Sequence, residues 1–156
     1  MMAEHRDMDP PPFFPFKVAN GEVEIDRATP LELLKLEGEI DFGPSGEMVV
    51  KATLEDWHLV AMRKGRVTSL RALGFDCGYP LISSHIWLHD KRRQCVLTKN
   101  LSVYRLGRPG DCGWPHPRLV EQLVIALRVW GIDCNPKIPT RHDGTFDCDT
   151  PRWQPK

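Results

Sequence analysis

Apolar and polar positions divide the chain into an alternating front, a middle whose period changes, and one long apolar helix near the end. Lys17-Val18-Ala19-Asn20-Gly21-Glu22-Val23-Glu24-Ile25 is the sharpest local signal. Asn-Gly supplies the two positive φ angles of a type I′ turn, and alternating apolar residues flank it, which predicts a β-hairpin. Leu34, Leu36, Ile40 and Phe42 then alternate with Lys35, Glu37, Glu39 and Asp41. That is the pattern of a half-buried strand, with Gly38 at a bulge or a close contact. Gly43-Pro44-Ser45-Gly46 turns the chain, and Met48, Val50 and Ala52 alternate again on the way back. Four antiparallel strands are expected over residues 16–53.

The period changes at Leu54. Leu54, Trp57 and Ala61, then Val67, Leu70 and Leu73, fall at helical spacing. With Thr53 as N-cap and Asp56 three residues on, they predict a helix over 54–73, divided at Gly65. Beyond Gly78-Tyr79-Pro80 two architectures compete. One is a meander of strands at 83–89, 94–98 and 101–106, favoured by the β-branched and aromatic content of Ile86-Trp87-Leu88. The other is a helix-turn-helix over 67–93 followed by a β wing, although its turn would be longer than usual. Pro117 to Trp130 predicts a helix with Pro in its first turn and Gly131 after its end. Its circumference is almost wholly apolar, so it belongs in the core or at a subunit interface.

These elements imply an α+β fold: an antiparallel sheet of hairpins with two main helices, 54–73 and 117–130, packed on one face. Residues 1–15 form a Pro/Phe-rich arm in which Phe13 and Phe14 dock on the domain or insert into a partner. The α+β domain spans 16–132, and 133–156 is a Pro-rich strap.

Charge adds what periodicity does not show. Residues 57–118 carry eleven Lys or Arg against three Asp, a balance of +8, whereas residues 1–56 balance at −8 and the chain as a whole is neutral. Either the acidic front offsets the basic middle within the fold, or one face stays basic and meets an anionic partner. The basic-face reading selects Arg63, Lys64, Arg66 and Arg71 with Lys91, Arg92 and Arg93, assisted by Phe13 and Phe14 of the arm. It describes a non-catalytic protein, an inhibitor, an adaptor or an accessory viral or mobile-element protein, that docks an acidic protein surface. The alternative partner is nucleic acid, contacted at phosphates by the same cations and stacked on Trp87, Tyr104 and Trp114.

Other chemistries have less behind them. His85-x3-His89 and Cys112-x3-His116 are the closest ligand pairs, and zinc usually takes such pairs from Cys-x2-Cys spacings that are missing here. On a helix His85 and His89 would share a face, but on a strand they stand about 13 Å apart. A small zinc-stabilised protein or a Cys/His enzyme is therefore the second alternative. No phosphate loop, nucleophile elbow or His-Glu-x-x-His occurs in the sequence. No catalytic residue, cofactor or membrane segment is expected, and the chain is read as a monomer or homodimer. Five cysteines at irregular spacing suit a reducing, cytoplasmic setting better than a disulfide framework.

Overall fold

The computed structural model describes residues 12–44, 46, 48–110, 114–134 and 138–139. Over these residues the fold is mixed α+β: a curled, mostly antiparallel sheet of eight strands and one main helix. The strands are β1 (Phe16–Val18), β2 (Val23–Arg27), β3 (Val50–Lys64), β4 (Val67–Asp76), β5 (Tyr79–Ile82), β6 (Ile86–Asp90), β7 (Cys95–Thr98) and β8 (Val103–Leu106). Helix α1 (Pro30–Lys35) is short, and α2 (Pro117–Val129) is the main one.

β3 is the axis of the sheet. Along one edge it pairs with β4, and β5 continues from β4. Along the other edge it pairs with the β1–β2 hairpin through residues 60–63, and with β8 in parallel through residues 50–54. β8, β7 and β6 then follow as an antiparallel meander. The β4–β5 pairing continues past Ile82, where the Ser83 N–H donates to the Ala72 carbonyl at 2.8 Å. The outer edge of β6 is not bare: residues 36–38 bridge it, with the His89 N–H bound to the Leu36 carbonyl and the Gly38 N–H to the His89 carbonyl. Covering an edge in this way removes a template for aggregation.

Helix α2 packs against β5 and β4. His116 caps it, its Nδ1 accepting from the Arg118 N–H, and Pro117 starts it where no N–H is needed. Leu119, Val120, Leu123, Val124 and Leu127 pack with Val60, Met62, Leu73 and Phe75 of the sheet and with Phe13, Phe16 and Trp114. A second core, on the other face of β3 and β4, joins Leu59, Ala61, Leu70 and Ala72 to Ile86, Val96 and Tyr104 of the meander. Each such Leu or Ile side chain contributes about 1.5–3 kcal/mol.

Three expectations are corrected. The predicted 54–73 helix is the β3–β4 hairpin, so a single main helix packs on the sheet rather than two. A bulge between Glu55 and His58, with Asp56 at φ +52°, shifts the alternation so that Leu54 shares a face with Leu59 and Ala61. Residues 58–62 are buried on both faces, which erases the period of two. Gly65, read as a helix break, opens the two-residue hairpin loop at φ +60°. The predicted strand over 34–42 begins instead as α1. Thr29 and Glu32 form a capping box and Pro30 stands at the first helical position, local signals stronger than the alternation. The Asn20-Gly21 hairpin forms, but its loop is four residues long: Val18 and Val23 are the last pair, and Ala19, Asn20 and Gly21 all have positive φ.

The meander and the 117–130 helix match their predicted ranges closely. Residues 81–93 are strands and turns, so the helix-turn-helix alternative has no recognition helix there. Residues 1–11 of the predicted arm and all but Asp133, Cys134, Ile138 and Pro139 of the predicted strap lie outside the described residues.

Candidate docking surface

The fold neutralises the basic middle unevenly. Arg63 points from β3 into a carboxylate cluster, with Nη1 2.9 Å from Glu24 and 3.0 Å from Asp26 and Nε 2.7 Å from Glu32. The hydrogen bond from Arg63 pulls the Glu32 carboxyl down from 4.5 to about 2. Arg93 donates to the Ile40 carbonyl and pairs with Glu39 and Asp90. Burial pushes Asp90 up, but the Ile40 and Arg93 backbone N–H groups and the Arg93 charge outweigh it, and its carboxyl is held low. Arg108 pairs with Asp56. Arg63, Arg93 and Arg108 thus hold acidic residues of the front third in place.

Arg71 is different. It is half-buried in the middle of β4, and no carboxylate pairs with it among the described residues. Nη1 donates to the Ser83 carbonyl at 3.2 Å, while Nε is shielded from solvent with no acceptor. The indole of Trp130, at the C-cap of α2, stacks on the guanidinium 4.0 Å from its centre. Strand alternation places Ser69 on the same face, and its Oγ lies 3.2 Å from Nδ1 of His85. The His85 carbonyl in turn accepts from the Lys99 N–H at 2.7 Å. Burial lowers the His85 imidazole below its usual range, and the charges of Arg71 and Lys99 lower it further. Arg71, His85 and Lys99 therefore form one basic corner where β4, β6 and the β7–β8 turn converge.

Exposed apolar side chains border the corner. Trp87 is 48% exposed, Leu101 60%, Val67 70% and Val129 76%. Beside it runs a groove of about 540 Å³, lined by Val23, Met62, Lys64, Val67, Ser69 and Ile132 among others. Ser69 belongs both to the groove and to the corner.

The residues chosen from sequence are scattered by the fold. Lys64 and Arg66 stand at the β3–β4 loop, next to the groove. Arg71 lies at the centre of the corner. Lys91 and Arg92 are exposed on the β6–β7 turn, about 20 Å from His85 at the far end of β6. Arg63 and Arg93 face carboxylates, as described above. Phe13 and Phe14 are 0% and 5% exposed and pack against Phe16 and Trp114. Ser69, Lys99 and Trp130 went unselected in the sequence. Reading 67–71 as a strand would have placed Val67, Ser69 and Arg71 on one face.

The metal candidates are not brought together. His85 precedes β6 and His89 lies within it, half-buried beside Glu37 and Lys91. His116 caps α2 with its ring against Phe75, and Cys112 lies outside the described residues. Among the described residues no three His, Cys, Asp or Glu side chains group as metal ligands would. No described helix is long and apolar enough to cross a membrane. Compared with family models, curated proteins and solved structures, the chain finds no match in any of the three.

Proposed function

We propose that this protein acts by binding, without catalysis, and that the corner of Arg71, His85 and Lys99 docks an acidic surface of a partner protein. The observation that carries this reading is Arg71. A half-buried guanidinium stacked on Trp130 with no carboxylate is costly unless an anion completes it. Arginine and tryptophan bordered by apolar side chains also make the composition that dominates binding energy at protein interfaces. A partner segment with an acidic side chain for the corner and an apolar one for the groove fits both features. The Ser69–His85 contact is structural in this reading, because the charges acting on His85 are cations and among the described residues no carboxylate orients it as a catalytic triad requires.

Carbodiimide cross-linking in extracts tests the docking face, since it joins lysine amines to carboxylates in contact. The expected cross-links leave from Lys64 and Lys99, and Arg71→Glu abolishes them while Lys91→Glu/Arg92→Glu leaves them intact. Cross-links concentrated on Lys91 would move the interface to the other end of β6.

One observation favours a second reading. Trp87 and Trp130 present partly exposed indoles among cations, as single-stranded nucleic-acid sites do. That reading predicts oligonucleotide affinity falling steeply with salt. No binding at low salt removes it.

A further inference from the structure

The corner offers more donors than a carboxylate uses. Arg71 brings the Nη2 end of its guanidinium, since Nη1 is held by the Ser83 carbonyl and Nε is shielded from solvent, while Ser69 brings a hydroxyl, His85 an imidazole and Lys99 an ammonium, and these groups come from β4, the segment before β6 and the β7–β8 turn. A carboxylate is planar and engages one fork of an arginine. A phosphomonoester dianion presents three oxygens in a tetrahedron and draws charge-assisted hydrogen bonds from several directions. The Trp130 indole covers one face of the guanidinium, which leaves anion recognition to the Nη2 end of the Arg71 plane.

We infer that the corner of Ser69, Arg71, His85 and Lys99 is a phosphomonoester site, and that the acidic feature it recognises on the partner is a phosphorylated side chain. The inference rests on the docking role proposed above and gives the partner its chemistry. The adjoining groove takes the apolar residue next to the phosphorylated one. Met62, which lines it with Val23 and Ile132, pairs with Ser69 across β3 and β4. A dianion beside the imidazole favours the protonated ring, so occupancy raises the His85 titration midpoint from its lowered value.

The test is a titration of the full chain, at low ionic strength, with inorganic phosphate and with a phosphoserine peptide, its unphosphorylated form and a single-stranded oligonucleotide of equal length. Side-chain NMR signals of Arg71 and His85 report binding. Phosphate and the phosphopeptide are expected to give saturable shifts confined to the corner and an upward move of the His85 midpoint. The unphosphorylated peptide should bind at least about tenfold more weakly, as expected for losing one charge-assisted contact. Arg71→Lys should lose a similar factor although it keeps the charge, because the fork is gone. Lys99→Gln, at an exposed position, should weaken phosphate without lowering the melting temperature.

Equal shifts at Lys91 and Arg92, or no saturation with phosphate, overturn the inference. Tighter binding of the oligonucleotide than of the phosphopeptide also overturns it, in favour of phosphodiesters. If phosphate fails while Arg71→Glu still abolishes cross-linking to the partner, the docking role stands and only the phosphoryl chemistry falls. If both fail, the docking role falls as well.

Discussion

Replacing Arg63 by Met removes one cation from three carboxylates and keeps most of the aliphatic stem. The guanidinium is 21% exposed in its side chain, and Glu24, Asp26 and Glu32 are 34%, 26% and 20% exposed. Arg63 also donates to the Arg27 carbonyl, so it ties β2 and α1 to β3. The fall of the Glu32 carboxyl from 4.5 to about 2 would correspond to at most about 3 kcal/mol of pairing energy. Solvent screening at a cluster this near the surface reduces that to about 1.5–2 kcal/mol. Mutual repulsion of the three carboxylates, once the cation is gone, adds about 0.5–1 kcal/mol. The expected loss for Arg63→Met is therefore roughly 2–3 kcal/mol at pH 7, measured by urea unfolding. Its pH dependence has a definite sign. The folded-state value of Glu32 is depressed, so its contribution is fully present above the unfolded value of about 4.5 and is lost as pH falls toward 2. The gap between wild type and variant should accordingly shrink below pH 4.5, with about half of the Glu32 part gone by pH 3. A loss under about 0.5 kcal/mol at pH 7 would show that the cluster is no more than a screened surface pair. A gap unchanged at pH 3 would refute the ionic account altogether and leave only the packing of the Arg63 stem.

Three further outcomes are expected. Thr29→Ala removes the capping box of α1 and should cost about 1 kcal/mol, with amide exchange accelerating over residues 30–35 and not in α2. Phe13→Ala opens a cavity among Phe14, Phe16 and Trp114 and should cost about 3–5 kcal/mol in chemical denaturation. A neutral result there would free Phe13 for a partner instead. Gly74→Ala places a Cβ 3.0 Å from the Leu54 side chain and 3.1 Å from the Glu55 carbonyl oxygen, and should destabilise by about 1–3 kcal/mol because the backbone at the β3 bulge must yield. An unchanged melting temperature would mean that the bulge gives way freely.

What the sequence disclosed follows from where local and global signals agree. In the meander, the predicted strand segments are bounded by Asp90-Lys91-Arg92-Arg93 and Lys99-Asn100, so pattern and punctuation point the same way. The same holds for α2, with Pro117 before it and Gly131 behind it. β3 and β4 were illegible for a physical reason: the bulge at Asp56 and burial on both faces remove alternation from the strand that all the others depend on. The period of two over 34–42 misled in the opposite direction, because a capping box of four residues outweighs it. The charge segregation was legible as a total but not in its distribution. The corner depends on a contact between Ser69 and His85 across sixteen residues, and that contact follows from the antiparallel β4–β5 pairing running on past Ile82.

The acidic front and basic middle are therefore two facts with different consequences. Arg63, Arg93 and Arg108 meet Glu24, Asp26, Glu32, Glu39 and Asp56, so much of the segregation is consumed in joining the front of the chain to the meander and to β3. Net charge then says little about which surface is free to bind. The informative quantity is the environment of each cation. Arg71 has more burial than an ordinary surface arginine and lacks the carboxylates that Arg63 enjoys. An arginine serving packing alone would be replaceable by an apolar residue of similar volume at little cost or even a gain, since such swaps relieve desolvation. Arg71→Met should thus leave stability within about 1 kcal/mol or raise it while abolishing docking. Were stability to collapse with docking unaffected, Arg71 would be a strut between Ser83 and Trp130, and the binding face would have to be sought elsewhere on the sheet.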